Sequence, residues 1–510
     1  MYLPTFFPKM FMKIPFSLII FFYSFLALEA FERPNIILIM TDDMGRECIE
    51  AHGGTSYKTP HLNGLAAQGL QINHCYSQPI CTPSRVKIMT GKYNFRNYEG
   101  FGGLPKQEKT FGHALQDAGY KTCIVGKWQL GGNHQDILNF GFDEYCLING
   151  VSPIEKRDEV RGRERYWGYP AIVANGELYQ SQLTYGPQMV NEYAVNFIKK
   201  EKDQPFFLYY PMILPHSPWA PTPHSKEGDK SGKKVSEVKY FKDNIEYIDH
   251  LVGNVVKALE QSGQRENTLI MFTSDNGSGY ATSVTKPSTN IKRMVSISGD
   301  KHDEVLRMPG ETTPLLKGKK TYMEGPISET VYGDVPGRKN KMTRDGTGVP
   351  LIIDWPRYHE QYKKSGHSFD DLVDFTDFFA TLLDVANTKV SQPIDGISFA
   401  PRLRGLGANK RDYVFCHYWF FGRKPELAQD SIHDGKWKLY NDGRFYDLSK
   451  DPEEKNSLSD HQLLETALKA KGKLSRSYQN LRNLTIPHNN VSDFKLASHS
   501  KKTNKKKSNK

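Results

Sequence analysis

Short, almost uninterrupted apolar runs recur along the chain, and segments with helical periodicity separate them. The run Asn35–Thr41 (NIILIMT) is continuous and rich in isoleucine, which is typical of a strand buried on both faces of a parallel sheet. Further strands are predicted at Lys121–Val125, Phe206–Pro211, Thr268–Thr273 and Pro350–Asp354.

Helices are predicted between these strands. Thr59-Pro60 is a start signal with proline at the first helical position, and Gly69 is the matching stop. The alternation of helix and strand predicts an α/β fold with a large, mostly parallel sheet sandwiched by helices. The other predicted helices end at Gly119 or cover Pro187–Lys200, Val235–Gln261 and Phe375–Ala386.

The pattern changes after about Pro401, where short strands and one closing helix predict a small α+β subdomain. We expect a catalytic domain over residues 31–400, this subdomain over 401–487 and a disordered lysine-rich tail over 488–510. The subdomain's elements are predicted at Tyr413–Trp419, Lys436–Tyr440, Arg444–Leu448 and Gln462–Leu481. Two long loops are predicted at Gly277–Thr313 and Pro326–Gly348.

Composition narrows the class of protein. Six cysteines in 510 residues exclude a disulfide-stapled scaffold. The net charge is +11, but six of the positive charges are lysines within residues 501–510, and the body shows no basic stripe typical of nucleic-acid binding.

The N-terminus has the order of a secretory signal. Lys9 and Lys13 precede the apolar run Ile14–Leu28, and small residues follow it. The run is shorter than the ~20 apolar residues of a spanning helix, so a cleaved signal over residues 1–30 is favoured over an uncleaved anchor. We therefore expect export, to the periplasm or outside the cell, without a stable membrane anchor.

Polar side chains follow four of the predicted strands. Asp42-Asp43, Lys127, His216 and Asp275-Asn276 each come at or shortly after a strand's carboxyl end, where open parallel sheets bind ligands. The two acidic pairs form an oxygen-only set, which hard cations such as Ca²⁺ prefer and zinc does not. Either pair alone could be an Asx turn or a helix cap. Their matching positions on two strands favour a metal site.

Cys81 lies in Cys81-Thr82-Pro83-Ser84-Arg85, where Pro83 suits the first turn of a helix. Cys81 is then expected just before a helix N-terminus, where the helix dipole lowers the pKa of a thiol. Arg85 is one turn further on and can reach back to an anion.

These residues carry a family resemblance. Cys81-x-Pro83-Ser84-Arg85, followed by Thr90-Gly91, resembles the sulfatase signature of the alkaline-phosphatase-like superfamily. The resemblance covers roughly Pro34 to Leu458 in order. Its other motifs are Thr41-Asp42-Asp43, Gly126-Lys127-Trp128, Pro215-His216-Ser217-Pro218, Ser274-Asp275-Asn276-Gly277, Lys319 within Gly318-Lys319-Lys320-Thr321, and Asp434-Gly435-Lys436-Trp437.

The resemblance implies a sulfatase mechanism. In the family, a separate maturation enzyme oxidises the cysteine matching Cys81 to formylglycine, whose hydrate attacks the sulfur of a sulfate ester. Its second hydroxyl then loses a proton and expels sulfate. His216 matches the acid for the leaving alcohol. The implied calcium ligands are Asp42, Asp43, Asp275, Asn276 and the modified Cys81, and the implied sulfate-binding cations are Arg85, Lys127 and Lys319.

The chain departs from the family pattern at two places, and two alternative functions remain open. Gln129 stands where the family usually has a histidine, with His134 as a nearby substitute, and a long insertion follows Glu324-Gly325-Pro326. The leading interpretation is an exported sulfatase acting on a sulfated carbohydrate. The alternatives are a phosphodiester or phosphonate monoester hydrolase of the same superfamily, or a non-catalytic relative that binds sulfated glycans.

Overall fold

A computed structural model describes residues 33–148, 166–167, 172–179, 181–228, 230, 236–279, 281–283, 322–324, 326–389, 392–407, 411–419 and 427–483. The predicted signal segment, Lys319, the predicted tail and most of the loop predicted at Gly277–Thr313 lie outside these residues.

The described residues contain strands and helices in alternation. The strands are β1 (Asn35–Thr41), β2 (Leu70–Tyr76), β3 (Lys121–Gly126), β4 (Glu144–Ile148), β5 (Ile172–Ala174), β6 (Glu177–Leu178), β7 (Phe206–Pro211), β8 (Thr268–Ser274), β9 (Ala281–Ser283), β10 (Tyr322–Glu324), β11 (Ile327–Thr330), β12 (Gly333–Pro336), β13 (Gly348–Val349), β14 (Leu351–Asp354), β15 (Ser368–Asp374), β16 (Val414–Tyr418), β17 (Gln429–His433), β18 (Trp437–Tyr440) and β19 (Phe445–Asp447). The α-helices are α1 (Pro60–Gln68), α2 (Cys81–Thr90), α3 (Phe111–Asp117), α4 (His134–Asn139), α5 (Gly186–Lys200), α6 (Tyr240–Gln261), α7 (Arg344–Thr347), α8 (His359–Ser365), α9 (Thr376–Val385), α10 (Ala400–Leu403) and α11 (Glu465–Asn483).

One large mixed sheet organises the fold. Its order is β13-β2-β14-β8-β1-β7-β3-β4-β5-β6, with β15 also paired to β2. The five central strands, from β8 to β4, are parallel, as the alternation of helix and strand predicts. Strands β14 and β5 join this centre in the antiparallel sense. The parallel centre therefore gathers the carboxyl ends of five strands at one edge.

Apolar residues on both faces of β1 explain its burial. Ile36, Leu38 and Met40 pack into one hydrophobic cluster with helices α2, α3 and α9. Ile37 and Ile39 pack on the opposite face with α5 and α6. The continuous apolar run of this strand is thus explained by helices covering both faces, and the predicted fold class is confirmed.

Several elements were not predicted from the sequence patterns. Strand β2 (LQINHCY) and strand β15 (SFDDLVD) carry polar residues and pair with each other, so neither forms an apolar run. The stretch Pro326–Gly348, predicted as a loop, contains the hairpin β11–β12 and the short helix α7. Strands β2 and β15 depend on a partner distant in sequence, whereas the strands of the hairpin pair across a short turn.

The C-terminal part forms a second layer. Strands β16 to β19 make a four-stranded antiparallel sheet, and α11 packs on it through Leu474, Tyr478 and Leu481. Three of its strands were predicted, and β17 was missed. All six cysteines are buried and free of disulfides. In the part of the chain that the structure describes, none of the helices has the length and apolarity needed to cross a bilayer.

Candidate active site

The polar residues after β1 and β8 meet at the carboxyl edge of the sheet. Thr41 pairs with Ser274 in the parallel register, so the next residues of both strands leave the sheet side by side. The Asp43 backbone N–H donates to Asp275 Oδ1 at 3.1 Å, and Asn276 Nδ2 donates to Asp43 Oδ1 at 2.8 Å. We call Asp42, Asp43, Asp275 and Asn276 the strand-end group.

The strand-end group fits a hard cation. Asp42 Oδ1 and Asn276 Oδ1 are buried, and neither has a hydrogen-bond partner among the described residues. Ligand atoms of Asp42, Cys81 and Asp275 lie within 4.8 Å of one another, as do those of Asp42, Asp43 and His216. Buried acceptor oxygens without donors are costly, and coordination of Ca²⁺ would satisfy them.

The pKa values of Asp42 and Asp275 also favour a bound cation. Burial favours a raised pKa for Asp42, but Lys127, His216 and Arg85 hold this pKa well below its usual range. Burial and the charge of Asp42 raise the pKa of Asp275 to about 7. Two buried carboxyl groups that repel each other are stabilised by a cation between them.

Cys81 is the first residue of α2, with Ile80 in the N-cap position, and it is fully buried. Burial raises the pKa of its thiol, although Lys127 and Lys339 act in the opposite direction. The expectation that the helix dipole would lower this pKa is therefore wrong, because desolvation of the thiolate outweighs the helix terminus and the nearby cations. The geometry makes Cys81 a poor thiolate nucleophile in its unmodified form.

Two cations converge beside Cys81. Arg85, one turn along α2, donates to Asp275 Oδ2 and to the Lys127 carbonyl, both at 2.9 Å. Lys127 follows β3, and its Nζ is hydrogen-bonded to Asp42 Oδ2. Both side chains are buried, so Asp275 and Asp42 each hold a cation beside the N-terminus of α2. Such preorganised cations can bind an anion without further reorganisation.

His216 approaches the strand-end group from the loop after β7. Its Nε2 lies 3.8 Å from Asp43 Oδ2, and its Nδ1 lies 2.6 Å from the Ser217 carbonyl. Burial and the charge of Lys339 lower its pKa to about 3. The imidazole is therefore neutral at neutral pH, with Nδ1–H donating to Ser217.

A third cation, Lys339, was missed by sequence reasoning. Lys339 Nζ donates to Asp43 Oδ2 at 2.6 Å, and its backbone N–H donates to the Ser278 carbonyl at 3.1 Å. Lys319, assigned from the resemblance, lies outside the described residues. The sequence held one signal that could have pointed to Lys339, the insertion after Glu324-Gly325. Lys339 lies in this insertion and is nearer than Lys319 to strand β14 along the chain.

The C-terminal sheet holds the residues around Lys339. We call residues 337–346 the Lys339 segment. Tyr418 Oη donates to Asn340 Oδ1, and Lys438 Nζ donates to the Met342 carbonyl. The side chain of Met342 packs against Cys416 and other residues of this sheet. The segment thus lies between the strand-end group and the C-terminal sheet.

Gln129 has a left-handed backbone conformation, with φ of 55°, in the turn after Lys127. Its Oε1 is buried and has no partner among the described residues. His134, considered as a substitute for a histidine here, is hydrogen-bonded through Nδ1 to Tyr145 Oη at 2.7 Å. The structure therefore does not bring His134 into the cluster around Cys81.

Comparison with known proteins places this arrangement among relatives. The chain matches the Sulfatase family over residues 34–388, and the family described as "N-sulphoglucosamine sulphohydrolase, C-terminal" over residues 338–480. It is 29% identical to N-acetylgalactosamine-6-sulfatase of Canis lupus familiaris, covering 76% of this chain and 68% of that protein. It is 26% identical to N-acetylglucosamine-6-O-sulfatase of Bacteroides thetaiotaomicron (strain ATCC 29148), covering 84% and 83%. The crystal structure of Ps i-CgsB matches with a TM-score of 0.64 and 25% identity, over 88% of this chain and 93% of that one.

Proposed function

The chain belongs to the sulfatase family and is a sulfuric ester hydrolase, and we propose that it removes sulfate from a sulfated carbohydrate at the site around Cys81. One observation carries the assignment of the site. The buried Cys81 at the start of α2 lies among Arg85, Lys127 and Lys339, each of which is held by a carboxylate of the strand-end group. This arrangement suits the anionic sulfate group of an ester better than a neutral substrate.

The strand-end group would hold a calcium ion together with the modified Cys81. When bound, the ion supplies positive charge next to the sulfate oxygens. The two buried oxygens without donors, on Asp42 and Asn276, support this assignment.

We propose that a maturation enzyme converts Cys81 to formylglycine, whose hydrated form supplies the nucleophile for sulfur. The chain's own residues then orient and neutralise the ester. Arg85 is anchored on both sides, by Asp275 and by the Lys127 carbonyl, so its guanidinium keeps one orientation. His216 is the residue assigned to the leaving alcohol, and it must first take up a proton at Nε2, since its imidazole is neutral with the proton on Nδ1.

Lys339, rather than Lys319, is proposed as the second lysine that binds sulfate. Its side chain is only 13% exposed, and its Nζ contacts Asp43. The charges of Asp43 and Asp42 keep its ammonium group protonated against the effect of burial, so its pKa is raised overall. A protonated lysine at this position adds a third positive charge to the pocket.

A substrate screen tests the function. Protein produced with a maturation enzyme should release sulfate from N-acetylglucosamine-6-sulfate, N-acetylgalactosamine-6-sulfate or a longer sulfated glycan. Hydrolysis of phosphodiesters or phosphonate monoesters at a higher kcat/KM would favour the alternative hydrolase. Binding of sulfated glycans with no turnover would favour the non-catalytic alternative.

The modification of Cys81 has a readout independent of activity. Mass spectrometry of the peptide containing Cys81 should show an aldehyde in place of the thiol. Full activity in Cys81→Ala would overturn the mechanism.

Gln129 is proposed to slow the step that expels sulfate, because an amide accepts a proton poorly. General acid–base assistance is worth ~10²–10⁴ in rate. Rapid-mixing kinetics should show a burst of alcohol release before slow turnover, and Gln129→His should shrink the burst. His134→Ala is the matched control, since His134 contacts Tyr145. An absent burst would place Gln129 among the residues that bind substrate.

Export and domain limits complete the proposal. Lys9, Lys13 and the apolar run after them support a signal over residues 1–30, and the start of the mature protein can be read by N-terminal sequencing. The catalytic domain is assigned to residues 31–400 and the C-terminal subdomain to 401–487.

A further inference from the structure

The segment that follows α2 returns to the first turn of that helix. Asn94 Nδ2 donates to the Pro83 carbonyl at 2.9 Å, and the Tyr98 backbone N–H donates to the Asn94 carbonyl at 2.9 Å. Asn97 Nδ2 donates to Thr90 Oγ1 at 3.0 Å. Tyr98 therefore lies in a segment whose Asn94 and Asn97 hydrogen-bond the two ends of the helix that begins with Cys81.

The residues after Tyr98 run from α2 to the turn that contains Gln129. The Gly102 backbone N–H donates to the hydroxyl of Thr82, the neighbour of Cys81, at 3.2 Å. The Leu104 backbone N–H donates to the carbonyl of Leu130, the neighbour of Gln129, at 3.2 Å. Residues 98–104 thus link the start of α2 to the turn after Lys127.

Two polar atoms along this link have no partner among the described residues. The side chain of Tyr98 is only 7% exposed, and its Oη makes no hydrogen bond, while the buried Oε1 of Gln129 also accepts none. The Tyr98 ring packs edge-on against Trp419, with ring centroids 6.0 Å apart. An unmade hydrogen bond of a buried hydroxyl or amide is unfavourable, so both atoms are suited to a ligand that enters the site.

We infer that the Tyr98 hydroxyl lines a sugar-binding subsite beside Cys81, in which Tyr98 Oη hydrogen-bonds a neutral hydroxyl or ring oxygen of the substrate. The inference rests on the proposed function and assigns Tyr98 to the carbohydrate rather than to the sulfate. Arg85, Lys127 and Lys339 already supply the positive charge that sulfate requires. Tyr98 offers only an uncharged group, which suits the uncharged part of the ester.

The electrostatics of Tyr98 agree with this role. Burial raises the pKa of the Tyr98 hydroxyl, and the charge of Cys81 raises it further. The hydroxyl is therefore neutral at working pH and can both donate and accept a hydrogen bond.

The test uses full-length, matured protein with Tyr98→Phe, which removes only the hydroxyl. For the sulfated sugar that the wild type hydrolyses best, kcat/KM should fall about 2- to 12-fold, the effect of one lost neutral hydrogen bond. The inhibition constant of inorganic sulfate, which carries no sugar, should stay unchanged. Lys339→Met, in contrast, should weaken inhibition by sulfate as well as lower kcat/KM.

Tyr247→Phe is the matched control. Tyr247 lies on α6, and its hydroxyl is also buried and has no partner in the described part of the chain, but its ring contacts His224, His250 and Tyr185. Its kinetic constants should equal those of the wild type. An unchanged kcat/KM in Tyr98→Phe would overturn the inference. Equal losses in sugar turnover and sulfate inhibition would also overturn it, because Tyr98 would then act through α2. A wild type without sulfatase activity would instead reject the proposed function.

Discussion

The two sides of the site are built in different ways. The strand-end group follows β1 and β8, and the parallel register of these strands brings its four side chains together. Lys339 belongs to a segment that contains only the short helix α7, and side chains of the C-terminal sheet hold it in place. Both sides meet at Asp43, whose two carboxylate oxygens accept from Asn276 and from Lys339.

This difference separates two kinds of positioning. Backbone hydrogen bonds of a buried parallel sheet open only with global unfolding, so the strand-end group keeps its geometry as long as the domain is folded. The Lys339 segment is held by a few backbone hydrogen bonds, such as those from Lys339 to Ser278 and from Asn340 to Pro79, and by side-chain contacts that can be removed singly. Substitutions in the strand-end group should therefore remove the proposed metal, whereas substitutions around Lys339 should lower activity by graded amounts.

The largest effect is expected from Asp275→Asn. This substitution removes a proposed metal ligand and leaves Arg85 buried without its carboxylate. Bound calcium, measured by elemental analysis, should disappear. The value of kcat/KM should fall at least about 100-fold, because loss of a residue that only supports a metal ligand already costs up to that much.

Asp354→Asn is the control for that loss. Asp354 is also a buried, paired carboxylate at a strand end. It lies beside the start of β8, however, where the central strands have their amino ends. The variant should be less stable and keep its calcium. Equal loss of calcium in both variants would show that the metal content reports stability rather than ligation.

The next largest effect separates the two lysines. Lys339→Met removes a cation that contacts Asp43, and kcat/KM should fall about 10²–10³-fold, as when one stabilising donor is removed from an active site. Calcium should remain bound, in contrast to Asp275→Asn. Lys319→Met should stay within about 2-fold of the wild type, as expected if Lys339 fills this role. The opposite ranking of the two variants would return the role to Lys319.

A smaller effect tests the support of the Lys339 segment. Tyr418→Phe removes the hydroxyl that contacts Asn340, and kcat/KM should fall about 2- to 12-fold, the range of one neutral hydrogen bond. The loss should vanish in a Lys339→Met background, because coupled residues are not additive. Tyr478→Phe is the control, since Tyr478 contacts Asp430 in the same subdomain. Additive losses would show that Tyr418 acts independently of Lys339.

The smallest effect is expected from Arg338→Gln. Arg338 lies next to Lys339, and its guanidinium pairs with Glu453 at 3.0 Å. The two side chains are 24% and 42% exposed, so the pair contributes only about 0.2–1 kcal/mol. The change in kcat/KM should stay below about 5-fold and shrink further in high salt. A loss as large as that of Lys339→Met would show that the exposed pair, rather than Tyr418, fixes the segment.

The strand-end group was predictable because its signals are local. An apolar run followed by Asp42-Asp43, and a second one followed by Asp275-Asn276, are read directly from neighbouring positions. The same holds for Cys81 and Arg85, one helical turn apart. Strands β2 and β15 were not predictable in this way, because each depends on the other for its place in the sheet.

The sequence by itself determined the fold class, the family and the residues that leave the central strands, since periodicity and short motifs depend only on nearby residues. Only the tertiary structure decided that Lys339 reaches Asp43, that burial raises the pKa of the Cys81 thiol, and that the Tyr98 hydroxyl is enclosed with no partner among the residues that the structure describes. Each of these depends on segments far apart in the chain. Desolvation and close contact arise from packing in three dimensions, which no local pattern records.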